Sequence, residues 1–364
     1  MQNDSLRIVS APLALLWLFA IAVGGIAAAL SIAVCWLMLR VGGLDAADKH
    51  GISDQVSSRV GGVIVVLYLF FNAFYLWFVQ GQSWSSLEIA VLAFLSTYFA
   101  IGLFEDLTSR ISSIRRFLFM LSAALVVVGA MNDLKLTRVD IIWVDWILGL
   151  SPLIAVGFTV LCLAFLSNAF NTADGANGLV GGIGLISLAT LGLLVPSSLS
   201  SLQLAGAVGC LVFLTFNLYT GRFFLGDGGA YAIGALVGCS AVYLVGTRDI
   251  SSWFILTLIF YPSADLLWGM ARRFATGRSV LSADEYHLHN LIYGSLRSRC
   301  SSSVVANNAT GLSIVTIFCL FPSLLAWLGL IPLDDSRWLH VALLMWLLYA
   351  GLWFKLSPLT KKLA

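Results

Sequence analysis

Five polar stretches in an otherwise apolar chain hold the residues able to do chemistry. The richest reads Asn168-Ala-Phe-Asn171-Thr-Ala-Asp174-Gly175-Ala-Asn177-Gly178. Asn168, Asn171 and Asp174 recur every three residues, so on a helix they form one slowly turning polar ribbon. Helix capping accounts for one amide, Asn177 before Gly178, and the other three need a ligand. A second stretch ends an apolar run with two adjacent carboxylates, Glu105 and Asp106, followed by Arg110, Arg115 and Arg116. Such a pair is costly unless solvated, ion-paired or bound to a cation. A third, Gly226-Asp227-Gly228-Gly229, sets a hard oxygen donor between glycines that let the backbone approach a ligand. It suits Mg²⁺, and a plain Asp-Gly turn is the simpler alternative.

Two further stretches complete the set. Asp265 lies inside an apolar run, less than two turns before Arg272, and at that depth is functional or paired, with Arg272 or Arg273 as the simplest partner. Asp284-Glu285-Tyr286-His287-Leu288-His289-Asn290 follows. In an extended segment residues two apart face the same way, so His287 and His289 could grip one anion or ion. No Cys or third His stands near, which argues against zinc. Nearer the start, Lys49, His50, Asp54 and Arg59 precede Gly61-Gly62. This reads either as a solvated connector or as a phosphate-handling loop before a helix N-terminus, where free N–H groups favour an anion. Acids for a divalent cation, Arg and His for phosphates, and Asn for a hydrogen-bonding ring together suit phosphoryl transfer, which depends mostly on positioning and charge stabilisation.

The elements that must position these residues follow from composition. The chain has 364 residues, 20 basic and 18 acidic, with 60% apolar and a mean hydropathy of +0.95. Soluble domains carry roughly 45–50% apolar and about 25% charged residues, so a water-soluble globule is excluded. Twelve Trp, 10 Tyr and 23 Phe exclude disorder. The net charge of +2 is too small for a nucleic-acid binder. Six cysteines without a Cys-x-x-Cys pair exclude a zinc knuckle or disulfide framework. What remains is an all-α polytopic membrane protein with about 10–11 transmembrane helices, a single domain over 1–364. Apolar runs predict spans near 12–39, 60–79, 87–104, 116–131, 152–167, 178–195, 202–218, 229–246, 252–271, 304–330 and 338–354. The first is too long for the apolar core of a cleavable signal and reads as a retained helix. Loops after odd-numbered spans, with the C-terminal tail, hold 15 of the 20 basic residues. Positive residues mark the cytoplasmic side, so the N-terminus is outside. The active site is then formed by cytoplasmic loops, because the polar stretches fall on that same side.

In order and on the expected side, these motifs resemble the bacterial polyprenyl-phosphate N-acetylhexosamine-1-phosphate transferases of glycosyltransferase family 4. That family includes undecaprenyl-phosphate GlcNAc-1-phosphate transferases and phospho-N-acetylmuramoyl-pentapeptide transferase. GLFED at 102–106 is similar to the family's Gly-x-x-Asp-Asp. NAFNTADGANGL at 168–179 is similar to Asn-x-x-Asn-x-x-Asp-Gly-x-Asp-Gly-Leu, and FLGDGGA at 224–230 to Phe-x-Gly-Asp-x-Gly-Ser. YPSADLLWGMARR with SADEYHLHNLI resembles the membrane Asp, Arg-Arg and His-x-His-His run. Three departures stand out: Glu105 for the first Asp of the pair, Asn177 for an Asp, and Asn290 for a third His. Asn177 cannot be a base, so any basic role moves to Asp174.

The resemblance implies transfer of a sugar 1-phosphate from a UDP-N-acetylated sugar to undecaprenyl or another polyprenyl phosphate, releasing UMP. The product, polyprenyl-diphospho-sugar, would initiate a cell-surface polysaccharide such as an O-antigen or capsule. The sugar stays open among GlcNAc, GalNAc and a deoxy-aminosugar relative. Mg²⁺, or Mn²⁺ in its place, would sit on Asp227 and Asp174. Glu105 and Asp106 would position the lipid phosphate or accept its proton. Asn168, Asn171, Asn177 and Asp265 would bind substrate. His287, His289 and Arg272 would clamp phosphates, with Lys49 and His50 as weaker candidates. The expected setting is the bacterial cytoplasmic membrane, with the oligomeric state open, although a homodimer is seen in the family. The rival reading, a transporter of an anionic solute, would place its polar groups near the midplane and show repeat symmetry, and neither is evident.

Overall fold

The computed structural model describes residues 44–45, 57–247, 250–279 and 284–357. The first expected span, with Lys49 and His50, lies outside the described residues. In hydrocarbon no water can satisfy backbone polar groups, so apolar runs close their hydrogen bonds internally as helices. These are α1 (Gly62–Phe78), α2 (Ser86–Thr108), α3 (Ser113–Ala130), α4 (Ile142–Gly149), α5 (Pro152–Ala173), α6 (Leu179–Leu194) and α7 (Ser200–Thr220). There follow α8 (Gly226–Thr247), α9 (Ser252–Leu258), α10 (Phe260–Ala275), α11 (Leu288–Arg297), α12 (Ser303–Val315), α13 (Phe321–Trp327) and α14 (Trp338–Leu356). A π-helical segment, Thr316–Leu320, joins α12 to α13. Serines start several of them. Ser85 and Glu88 form a reciprocal capping box on α2, and Ser112, Ser151, Ser251 and Ser302 cap α3, α5, α9 and α12.

Among the described residues seven helices are long and apolar enough to cross a membrane: α2, α3, α5, α7, α8, the continuous α12–α13 and α14. The protein is an all-α, multi-pass membrane protein. The expected span at 252–271 is instead two helices, α9 and α10, bent by 83°. Pro262 has no N–H to offer the Leu258 carbonyl one turn earlier. That carbonyl is taken by the Ser187 hydroxyl at 3.1 Å and the Cys319 thiol at 3.6 Å. The spans expected at 60–79 and 178–195 are the 17-residue α1 and 16-residue α6, short of the roughly 20 residues a full crossing takes. The apolar run before Pro152 forms the separate short helix α4, with Ile142, Trp143 and Trp146 exposed.

Helix α8 is the core of the bundle, buried along almost its whole length. Its face is built from Gly228, Gly229, Ala230, Ala232, Gly234 and Ala235, small residues that let neighbouring backbones come close. A Cβ on Gly62 would overlap Gly229 Cα, one on Gly102 would overlap the Gly228 nitrogen, and one on Gly234 would meet Ser167 Cα at 2.7 Å. So α1, α2 and α5 lean on α8 backbone to backbone. Before α1, the two-residue strands β1 (Leu44–Asp45) and β2 (Ser57–Ser58) pair antiparallel. The chain then runs alongside 222–225: Ser58 N–H donates to Arg222 O, Phe224 N–H to Ser58 O, and Gly61 N–H to Phe224 O, at 2.8–2.9 Å. This stitch brings Arg59 to the start of α8.

Replacing Gly102 by Ala should therefore force α8 away from α2 and cost about 1–3 kcal/mol, the usual range for overpacking. Gly129→Ala, where a Cβ meets nothing within 4 Å, should be neutral or slightly stabilising. Thermal unfolding of the detergent-solubilised protein checks both.

Candidate functional site

The first N–H groups of a helix have no intrahelical partner. At α8 they are taken by acids from other elements. Asp106, near the end of α2, accepts the Asp227 N–H through Oδ1 at 3.1 Å and the Gly228 N–H through Oδ2 at 3.0 Å. Asp174, which closes α5, takes the Gly226 N–H. Anions are favoured there by the helix dipole as well as by the hydrogen bonds. Arg59 stands close enough to lower the cost of negative charge on both carboxylates. Burial still pushes the Asp174 carboxyl up to about 7, against the opposing pull of the Gly226 N–H and Arg59. Gly226 has φ +74°, and a Cβ on it would strike the Arg59 carbonyl oxygen, so only glycine fits between these partners.

Asp227 points its carboxylate away from its own helix and forms an ion pair with Arg116. Arg116 also donates to Ser113 Oγ at 3.4 Å, and its buried Nε has no hydrogen-bond partner. Sequence reasoning used Arg116 only as a charge following the acidic pair. Its place four residues into a serine-capped helix right after those acids was the available signal. Glu105 has a different partner from its neighbour: its Oε2 accepts the Ile111 N–H at 2.8 Å across the α2–α3 turn. Asn171 donates to the Tyr231 hydroxyl at 3.1 Å, and Asn168 is half-buried one turn before it on α5. Asn177 is buried and bonded to Asn217, Asn307 and Asn308.

The histidines form the other wall. Asp265 is paired with His287, not with Arg272 or Arg273: its Oδ2 lies 2.6 Å from His287 Nδ1. Its Oδ1 accepts the Leu288 N–H at 3.0 Å and the Tyr349 hydroxyl at 2.6 Å. His289 is held by Tyr261, whose hydroxyl lies 3.1 Å from Nδ1 and accepts the His289 N–H at 3.1 Å. The two rings stack with centroids 5.5 Å apart. A Cβ on Gly175 would overlap His289 Nε2, so the histidine arm docks on the loop that carries Asp174. Arg272 is ion-paired with Asp284 and lies 5.0 Å from the Trp353 ring, while Trp353 Nε1 donates to Tyr286 O at 2.8 Å. Tyr261 opens the YPSADLLWGMARR stretch, where only the acid and the arginines had a role, while Tyr349 and Trp353 lie in no motif and nothing in their spacing announces them.

Environment divides the two imidazoles. Burial works against a charged His287, but the Asp265 and Asp284 carboxylates outweigh it and raise its pKa. Burial dominates at His289 and pushes it down to about 4. The pair thus offers one readily protonated ring and one neutral ring, the kind of split that assigns separate acid–base roles. Among the described residues no three His, Cys, Asp or Glu side chains group as a metal cage.

Asp106→Ala leaves two buried N–H groups unpaired and should destabilise by about 2 kcal/mol or more, whereas Glu105→Ala, losing one bond at a half-buried turn, should cost about 1 kcal/mol. Denaturant or thermal unfolding in detergent separates them. An unfolded His289 takes its proton near pH 6.5, before the folded one does. Its contribution to stability is therefore present above that pH and lost as pH falls toward 4. His289→Gln should flatten the acid limb of the unfolding midpoint against pH.

Residues 88–245 match the family described as Glycosyl transferase family 4. A decaprenyl-phosphate N-acetylglucosaminephosphotransferase of Mycobacterium leprae is 27% identical over 238 residues, covering 58% of this chain and 59% of the relative. A probable undecaprenyl-phosphate N-acetylglucosaminyl 1-phosphate transferase of Bacillus subtilis is 22% identical over 315 residues, covering 80% and 85%. A phospho-N-acetylmuramoyl-pentapeptide-transferase of Acetivibrio thermocellus is 36% identical over 94 residues, covering 24% and 28%. The chain spans less than two thirds of the length of the mycobacterial relative. The stretch similar to that family includes Glu105, Asp106, Asp174 and Asp227.

Proposed function

We propose that this protein transfers a sugar 1-phosphate from a UDP-activated N-acetylated sugar to a polyprenyl phosphate, releasing UMP, at the cytoplasmic face of a bacterial membrane. The observation that carries the reading is the meeting of Asp106, Asp174, Asp227, Arg59 and Arg116 at the start of α8, with His287 and His289 across Gly175. The names of the relatives support the polyprenyl phosphate acceptor and the N-acetylated sugar. The 15 to 5 division of basic residues supports the cytoplasmic placement. Initiation of a cell-surface polysaccharide is the role such a product would have.

Each residue then has a task in the bound complex. A lipid phosphate monoester has a second pKa near 6 and is mostly dianionic at neutral pH. It needs orientation more than deprotonation, and it attacks the sugar-side phosphorus directly. Asp106 is committed to two N–H groups, so it holds Asp227 in place. The Glu105 oxygen not bonded to Ile111 is free to orient the acceptor. Arg116, with an unfilled donor, and His287, whose positive charge the Asp265 and Asp284 carboxylates favour, would face the phosphates. Asp227 and Asp174 would hold Mg²⁺, an ion that takes one or two protein carboxylates and fills its shell with waters and phosphate oxygens. That ion would supply charge neutralisation on the diphosphate. The transporter alternative would want its broken helix to line a cavity, and here the freed Leu258 carbonyl is taken by Ser187 and Cys319.

Purified protein given undecaprenyl phosphate and a panel of UDP-sugars should release UMP with one or more N-acetylated donors, and chelation of Mg²⁺ should stop it. Asp227→Ala should reduce release by about 100-fold or more, the scale of losing a charge-stabilising group. Near wild-type release by that variant would remove Asp227 from the reaction.

A further inference from the structure

Four amides meet where the α5–α6 loop touches the ends of α7 and α12: Asn177, Asn217, Asn307 and Asn308. Asn177 is 1% exposed, Asn217 and Asn307 2%. The direction of their hydrogen bonds is imposed from outside, by backbone groups that only donate or only accept. Asn217 Oδ1 accepts the Gly178 N–H at 2.7 Å, and its Nδ2 donates to the Phe223 carbonyl at 2.6 Å. Asn308 Nδ2 donates to the Leu218 carbonyl at 2.8 Å, which leaves its Oδ1 facing Asn177. Held between them, Asn177 accepts from Asn217 Nδ2 at 3.4 Å and donates to Asn308 Oδ1 at 2.9 Å. An amide does both. A carboxylate does only the first.

We propose that Asn177 and Asn308 are a matched positioning pair, which locks the loop bearing Asp174 and Gly175 onto α7 and α12. The amide at 177 is demanded by Asn308, not by a substrate. The backbone agrees with the lock: the Asn177 N–H donates to Asn307 Oδ1 at 2.9 Å, and a Cβ on Gly311 of α12 would overlap the Asn177 carbonyl oxygen. An Asp at 177 would set an anionic oxygen against Asn308 Oδ1. Turning the Asn308 amide over only moves the repulsion to the Leu218 carbonyl. A protonated carboxyl, with its O–H donor restored, fits. The groups facing position 177 from α7 and α12 are the amides of Asn217, Asn307 and Asn308, which do not titrate, so any new pH dependence belongs to the introduced carboxyl. The consequence for activity rests on the transferase reading; the consequence for folding does not.

The test compares wild type, Asn177→Asp, Asn308→Ala and the double variant by thermal unfolding in detergent at pH 8 and pH 5.5, with UMP release measured alongside. Asn177→Asp should unfold well below wild type at pH 8 and regain most of the difference at pH 5.5. Its loss should be at least halved in the Asn308→Ala background, where the opposing acceptor is gone. UMP release at pH 8 should fall about tenfold, the equivalent of one unpaired buried acceptor, and recover at the lower pH relative to wild type. If Asn177→Asp does not accumulate in membranes, the double variant should. Wild-type unfolding by Asn177→Asp at pH 8, an equal loss at both pH values or in both backgrounds, or failure of both variants to accumulate would overturn the pairing. Absence of UMP release from all four proteins would instead remove the transferase reading and leave the unfolding comparison to decide the pair.

Discussion

Three backbone N–H groups at the start of α8, on Gly226, Asp227 and Gly228, accept no help from their own helix and are held by two carboxylates from elsewhere. At the edge of a low-dielectric bundle an unpaired N–H is expensive, and so is an unpaired carboxylate. Each solves the other's problem. The arrangement requires glycines on both sides of Asp227 in the first turn, because α1 and α2 must come near enough for Asp106 to reach it. The glycines that permit this contact are the same ones that give the loop its Gly-Asp-Gly-Gly spelling. Asp227 is the one side chain left in that turn, and it is aimed at Arg116. Geometry and charge of the site therefore come from a single structural solution.

The histidine wall is built on a different principle. Its two rings are oriented from behind, His287 by Asp265 and His289 by Tyr261, much as outer hydrogen bonds fix the ligands of a metal. Asp265 is itself tied to the last helix through Tyr349, and Trp353 of that helix holds the Tyr286 carbonyl. Helix α14 thus supports residues 67 and 84 positions earlier. Because His287 bonds the Asp265 carboxylate directly while burial outweighs the same carboxylate at His289, two neighbouring imidazoles acquire opposite preferences for the proton.

Much of this was legible in the residues alone. Asp106, Asp174, Asp227, His287 and His289 were identifiable because acids and imidazoles at the ends of apolar runs are costly without a purpose, and the structure brings them to one end of the bundle. Their individual partners were not legible. Asp106 and Glu105 look equivalent side by side, yet a helix places consecutive side chains about 100° apart, so one meets α8 and the other its own turn. Asp265 looked like a partner for Arg272 at helical spacing, but Arg272 is drawn off by Asp284. Tyr349 and Trp353 act through contacts with segments far away in the chain, which no local pattern records. The break at 252–271 was signalled by Pro262 within an apolar run that otherwise read as one span.

The bareness of α8 bears on how the bundle is assembled. A segment this rich in glycine is held in the bundle by close backbone contact with α1, α2 and α5. All three are made before it as the chain is synthesised from the N-terminus. α8 thus follows its three backbone partners in the order of synthesis. Moving α8 ahead of its neighbours in a circular permutation would strand it among lipids with nothing to grip.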